Sequence, residues 1–261
     1  MLYLRSDLSH LFSNKLPLFP QVMALRGEVF RDQKGRVTQR VRLDDKYYFI
    51  KQHHGVGWKE IFKNLLQLKM PVLGAKNEWQ AIQKLQSLAI SVPILAGFGE
   101  QGKNWARKES FILMEEITPS VSLETLCANW GASPPDVRFK RRLIDEVARI
   151  ARIMHAHGIN HRDFYICHFL LDKESSEAMP RLYLIDLHRA AIRKRTPTRW
   201  LIKDLAGLYF SSKECGLTKR DLYRFMCAYR QLPLRKIMKD EKSFWEQVYE
   251  RGEKLYRDHS K

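Results

Sequence analysis

The chain has 261 residues, 44% of them hydrophobic and 11% aromatic, enough to bury one sizeable core or two closely apposed lobes and to set disorder aside. Its formal charge of +17 creates a field that attracts anionic lipid, nucleic acid, or an acidic substrate or protein, without choosing among them. Cys127, Cys167, Cys215 and Cys227 lack CxxC spacing, which argues for reduced cytosolic thiols rather than a zinc knuckle or disulfide framework; no apolar run is long enough to span a bilayer or to form a signal segment, so any membrane contact is expected to be peripheral.

The residues from Val37 to Lys51 alternate polar and apolar around Asp44 and Asp45, which predicts a β-hairpin whose second strand, KYYFIK, ends at Lys51. Between Trp58 and Leu68 the apolar residues Trp58, Ile61, Phe62, Leu65 and Leu66 recur at helical spacing, and Pro71 and Gly74 follow as stops. That stripe is read in two ways: a core-facing helix with a solvated basic face, or a helix at a bilayer surface with Lys59, Lys63 and Lys69 near anionic groups. A further helix is expected over Lys76 to Leu88 and carries Glu78. The segment SFILMEEI, Ser110 to Ile117, predicts a buried strand, and Thr118-Pro119-Ser120 a boundary between an N-lobe over 1–117 and a C-lobe over 118–261.

Beyond that boundary the pattern turns helical. Leu143, Val147, Ile150, Ala151 and Met154 form one face of a long helix that closes with His155, His157 and Gly158. Two short apolar runs, Phe169 to Leu171 and Leu182 to Ile185, predict a second hairpin. From Arg199 on, the sequence is helical in pattern and basic in composition.

The order is β-hairpin with Lys51, helix with Glu78, strand and hinge, long helix, His161-Arg162-Asp163, hairpin, Asp186. It is the order of a protein-kinase-like phosphotransferase, and the expected fold class is α+β and bilobal, with a β-rich N-lobe and a mainly helical C-lobe. Phosphoryl transfer from ATP needs a cation on the phosphates, an anchor for that cation, a carboxylate near the attacking hydroxyl and a carboxylate for Mg²⁺. Lys51 and Glu78 fill the first two roles, Asp163 the third and Asp186 the fourth. Backbone groups of Glu115 and Ile117 are expected at the adenine edge. His168 stands five residues after Asp163, where protein kinases carry a second metal-binding asparagine; it is either a metal ligand or a hydrogen-bonding partner of a phosphate or of Asp186. Asp204 is expected to receive hydrogen bonds from the backbone of the catalytic loop.

Two departures narrow the reading. LRGEVFRDQKGRVTQ holds Gly27 and Gly35 but no GxGxxG, so phosphate clamping falls to other groups, with Arg26, Arg31 and Lys34 as candidates. The stretch AIRKRTPTRWLIK between Asp186 and Asp204 is too short for the peptide-docking segment of protein kinases, which favours a small or glycan acceptor.

The runs GINHRDFYICHFLL, LIDLHRA, KDLAGLYFSS with GLTKRD after it, and LLQLKMPVLGAKNEW together resemble the lipopolysaccharide core heptose kinases of the RfaP/WaaP type, roughly from Leu25 through Arg230. The resemblance implies ATP and Mg²⁺ dependence and transfer of the γ-phosphate to a hydroxyl of an inner-core heptose on a lipid-anchored saccharide. The expected location is therefore the cytoplasmic face of the inner membrane. An acidic protein such as acyl carrier protein is a further expected partner for the basic surface. The alternatives are a kinase for another small or protein acceptor and a non-catalytic basic module binding lipid or nucleic acid. No nucleic-acid partner is expected, because the sequence lacks a recognised nucleic-acid motif.

Overall fold

The structure, a computed structural model, describes residues 1–33, 35–55, 74–102, 104 and 107–259. The helix expected over 58–68 and Lys34 lie outside the described residues. The chain forms two compact units, Met1–Gln83 with Pro93–Ile117, and Lys84–Val92 with Thr118–Lys261.

The first unit is built on an antiparallel sheet in the order β1-β5-β6-β4-β3-β2. Its strands are β1 (Leu2–Leu4), β2 (Glu28–Gln33), β3 (Arg36–Leu43), β4 (Lys46–His54), β5 (Leu95–Gln101) and β6 (Glu109–Glu115). The hairpin predicted around Asp44 forms, with Leu43 opposite Lys46 and Asp44 at a positive φ of 51°. One face of the sheet sends Val41, Leu43, Tyr48, Ile50, Phe111 and Leu113 into a core closed by Leu8 and by Phe19, Val22 and Met23 of α1 (Leu18–Met23). Each large apolar side chain fully removed from water there contributes about 1.5–3 kcal/mol.

The period of two puts the alternate residues on the opposite face. Lys51, Ile112 and Phe98 stand opposite one another on neighbouring strands, and Trp79 of α2 (Lys76–Ser87) stacks on Phe98 at 4.9 Å between ring centroids.

Strand β4 does not end at Lys51 but continues to His54. The sequence hid this because Gln52 and His53 are polar yet buried. Gln52 points into the core face, where its amide nitrogen donates to the Met23 carbonyl at 3.0 Å and its oxygen accepts from Gln39 at 2.7 Å. The Gln39 oxygen in turn accepts the Gly27 N–H at 3.0 Å. A polar relay of this kind is tolerated in a core because its groups are paired. Gly27 is needed here for close approach: a Cβ would stand 2.0 Å from the Arg40 carbonyl oxygen.

The second unit is mainly helical. It contains β7 (Ser120–Ser122), α3 (Leu123–Cys127), α4 (Val137–Ala156), β8 (Ile159–Asn160), β9 (Phe169–Asp172), β10 (Leu182–Leu184), β11 (Ala191–Ile192), α5 (Thr198–Ser211), α6 (Lys219–Arg230), α7 (Leu234–Asp240) and α8 (Lys242–His259). Asp136 starts α4 by accepting the N–H groups of Arg138 and Phe139 at 2.8 and 2.9 Å. The predicted stripe Leu143, Val147, Ile150, Ala151 and Met154 is buried. The second hairpin forms between β9 and β10, and β7 adds a third strand to it.

Gly158 ends the long helix at φ 78°. A Cβ on it would lie 1.8 Å from the Arg193 carbonyl oxygen, so glycine lets the strand after Asp186 close in. There β11 pairs with β8, Ala191 opposite Asn160 and Ile192 opposite Ile159, and the Arg193 amide donates to the Gly158 carbonyl at 2.9 Å. Among the described residues no helix is long and apolar enough to cross a membrane.

Candidate active site

In the first unit the Lys51 ammonium donates to Glu78 Oε1 at 2.6 Å, and the side chains are 10% and 2% exposed. Lys51 is fixed mid-strand by pairing on both sides, with Thr38 and Ile112 opposite it. Glu78 enters from the first turn of α2, held by the packing of Trp79 on Phe98. Its second oxygen, Oε2, is buried and has no hydrogen-bond partner among the described residues. Burying two charges is costly unless they meet each other, and such a cost is commonly met at sites that handle a charged ligand.

Glu115 ends β6 at the edge of the same unit. Its amide donates to the Ile94 carbonyl at 2.9 Å, so of its two backbone groups only the carbonyl is left to face a ligand. Its side chain is occupied by Lys46 at 2.7 Å and Arg5 at 2.9 Å. Burial pushes the Glu115 carboxyl up, but hydrogen bonds from Lys46 and Arg5 outweigh it and hold the group below its usual range. Ile117 follows two residues later and closes the unit.

In the second unit the catalytic-loop candidate is suspended from one buried carboxylate. Asp204 of α5 is fully buried, accepting the N–H of His161 at 2.7 Å on Oδ2 and that of Arg162 at 2.9 Å on Oδ1. His155 approaches the same Oδ2 at 3.4 Å and bonds the Tyr229 hydroxyl at 2.9 Å through its other nitrogen. His161 donates from Nε2 to the Ile185 carbonyl at 2.9 Å. Burial pushes its pKa down despite Asp204, which favours the neutral ring. These bonds hold Arg162 at a φ of 74°, an arrangement that costs a side-chain-bearing residue energy and survives only where its surroundings enforce it.

Asp163 follows that turn with its side chain 16% exposed, and its Oδ1 accepts from Arg189 at 2.7 Å. Asp186 lies at the end of the β10 strand in the left-handed region, φ 59° and ψ 50°, and its Oδ1 accepts from His188 Nδ1 at 2.8 Å. His168 donates from Nδ1 to the Asp163 carbonyl at 2.7 Å, so the neutral ring presents a lone pair at Nε2. That nitrogen is 3.7 Å from Asp186 Oδ2. Asp163, His168 and Asp186 are thus gathered in one unit, and Lys51 with Glu78 in the other.

The sequence reading missed Arg189 and His188. No spacing rule ties residue 189 to residue 163; the bond exists because the chain turns at Asp186 and closes β11 onto β8. The only hint was a histidine and an arginine two and three residues after a metal-ligand candidate.

The second unit also holds a cavity of about 550 Å³ whose apolar lining includes Leu123, Cys127, Leu143, Val147, Ile166 and Leu205. Cys127 and Cys215 meet there as free thiols.

An antiparallel sheet carrying a buried lysine–glutamate pair, with a helical unit whose His-Arg-Asp loop hangs from a helix aspartate, defines a phosphotransferase of the protein-kinase-like class. The sequence profile of the lipopolysaccharide kinase (Kdo/WaaP) family matches residues 20–229. The chain belongs to that family. Among similar proteins, the lipopolysaccharide core heptose(I) kinase WaaP of Escherichia coli is 48% identical over 257 residues, 98% of this chain and 97% of that protein. The protein of the same name from Pseudomonas aeruginosa is 47% identical over 98% of this chain and 96% of its own length. A solved structure, WaaP in complex with acyl carrier protein, superposes with a TM-score of 0.85 at 42% identity, covering 98% of this chain and 99% of that one.

Proposed function

We propose that this chain transfers the γ-phosphoryl group of ATP to a heptose hydroxyl in the lipopolysaccharide inner core. The observation that carries the reading is near-full-length identity of almost half to heptose(I) kinases, in a chain whose Asp163 stands on a loop pinned by Asp204.

Asp163 is the residue that receives the acceptor proton. Arg189 engages its Oδ1, which orients the carboxylate and leaves Oδ2 for the acceptor hydroxyl. Lys51 binds the nucleotide phosphates, with Glu78 fixing where its ammonium points. The Glu115 carbonyl and the Ile117 backbone take the adenine edge.

Asp186 and His168 Nε2 would be the donor set for a divalent cation. It suits Mg²⁺, which proteins usually hold through one or two carboxylates together with substrate phosphates. The chemistry Mg²⁺ would supply is charge neutralisation on the transferred phosphoryl group. His168 adds a nitrogen donor that Mg²⁺ ranks below oxygen.

A lipid-anchored acceptor places the reaction at the cytoplasmic face of the inner membrane, met peripherally. We take acyl carrier protein as a partner, because the chain carries +17 and the solved relative is in complex with that protein. The cavity beside Cys127 has the apolar lining an acyl chain requires.

The test is incubation of the purified chain with ATP and core saccharide from cells that lack it, followed by mass spectrometry. One added phosphate on a heptose is expected. No transfer, or transfer only to other acceptors, overturns the reading.

A further inference from the structure

Four cations crowd a single indole in the second unit. Arg162, Lys203, Arg199 and Arg193 bring their charged groups to 4.9, 5.4, 5.5 and 5.7 Å from the Trp200 ring centroid. Arg189, held on Asp163, stands close enough to Arg162 and Lys203 to repel both. The carboxylates at hand do not balance them. Asp163 is already engaged by Arg189, and Asp204 is spent on the His161 and Arg162 amides and on His155.

Among the described residues no carboxylate lies within ion-pair distance of Arg162 or Lys203, and Arg162 Nε is buried without a hydrogen-bond partner. Burial, then Arg193 and Arg189, push the Arg162 guanidinium below its ordinary value. Burial, then Arg189, do the same to the Lys203 ammonium. Like charges gathered at a partly buried place are unfavourable until an anion joins them.

We propose that Arg162, Arg189 and Lys203, beside the face of Trp200, form an anion subsite for the acceptor, so that the sugar phosphorylated by this chain bears a carboxylate or phosphate near its reacting hydroxyl. The inference rests on Asp163 being the group that meets that hydroxyl. Arg189 links the two functions, since it touches the Asp163 carboxylate and belongs to the cationic cluster. Guanidinium forks match the planar oxygens of either anion, and an indole offers the apolar face of a sugar ring a flat surface. The acceptor is thereby recognised by a charge next to the hydroxyl, and saccharides without that charge bind more weakly.

The experiment compares three core saccharides: intact, phosphatase-treated, and carboxyl-reduced. Lys203→Gln raises the KM for the intact acceptor by about tenfold, the worth of one charge-assisted hydrogen bond, with a smaller effect on kcat and none on the KM for ATP. Lys203→Arg restores the acceptor KM, which separates lost charge from lost folding. On the saccharide stripped of the recognised group the wild-type KM rises as well, and Lys203→Gln adds nothing further. Whether phosphatase or carboxyl reduction has that effect identifies the anion. Equal weakening of all three acceptors by Lys203→Gln, or wild-type turnover indifferent to acceptor charge, overturns the subsite alone. No wild-type turnover of any of them overturns the heptose-kinase reading, and the subsite with it.

Discussion

Asp163 and the imidazole that hydrogen-bonds its carbonyl carry two separate proposed roles in the second unit. Asp163→Ala removes the group proposed to receive the acceptor's proton and leaves every residue assigned to the nucleotide in place. Transfer is expected to fall by about 10²–10⁴-fold, with nucleotide affinity within a few-fold of wild type by calorimetry. His168 makes a separate prediction, because its Nε2 stands 3.7 Å from Asp186 Oδ2. His168→Asn exchanges a nitrogen donor for an oxygen donor, so the ratio of activity with Mn²⁺ to activity with Mg²⁺ is expected to fall while turnover persists. A loss of turnover with an unchanged metal ratio would make His168 a hydrogen-bonding residue only. Motif order singled out Asp163, Asp186 and His168 as candidates, because the groups that serve phosphoryl transfer recur in a fixed chain order. Arg189 stayed hidden because its partner is brought to it by tertiary closure.

At the level of elements, periodicity carried what it is suited to carry. Alternation located the β3–β4 hairpin, and the apolar stripe located α4. It failed where buried residues are polar. Gln52 and His53 read as a strand end, although β4 runs on through them to His54. Strand β1 has three residues, too few for any period to show, and its place beside β5 is visible only in three dimensions. Gly158 illustrates a residue whose helix-stop signal was legible while its second role was not. Gly158→Ala meets both an unfavourable φ of 78° and the Arg193 carbonyl at 1.8 Å. The backbone term alone is about 1–2 kcal/mol, and displacing β11 adds to it. Thermal unfolding is expected to drop by several degrees, and catalysis to fall more than stability does, since the displaced strand follows Arg189. A variant with wild-type melting would show that β11 gives way freely.

Over the whole molecule, charge acts in two registers. The excess of +17 is long-range and sensitive to salt, whereas individual carboxylates are tied to specific cations. Arg5 holds Asp7 at 2.7 Å and Glu115 at 2.9 Å, and both carboxyls lie below their usual range. A depressed carboxyl stabilises the fold above its unfolded value, 4.5 for Glu115, and that contribution disappears as pH falls through the lower folded value. Arg5→Gln is therefore expected to lower the melting temperature near pH 7 and to have a smaller effect in acid well below 4.5, where the wild type is losing the same contribution. An equal drop at both pH values would mean that Arg5 stabilises by packing alone.

The closure of β11 onto β8 also bears on control. In protein kinases the chain after the metal aspartate is a long loop that is ordered by phosphorylation, and its order decides whether the enzyme is on. Here that interval is consumed by a turn, a two-residue strand paired with β8, and the lead into α5. The Asp204 bonds that shape the catalytic loop are already made. The interval between Asp186 and Asp204 thus holds no long loop left to be ordered. Control by phosphorylation of that interval is not expected, which suits a biosynthetic step better than a signalling one.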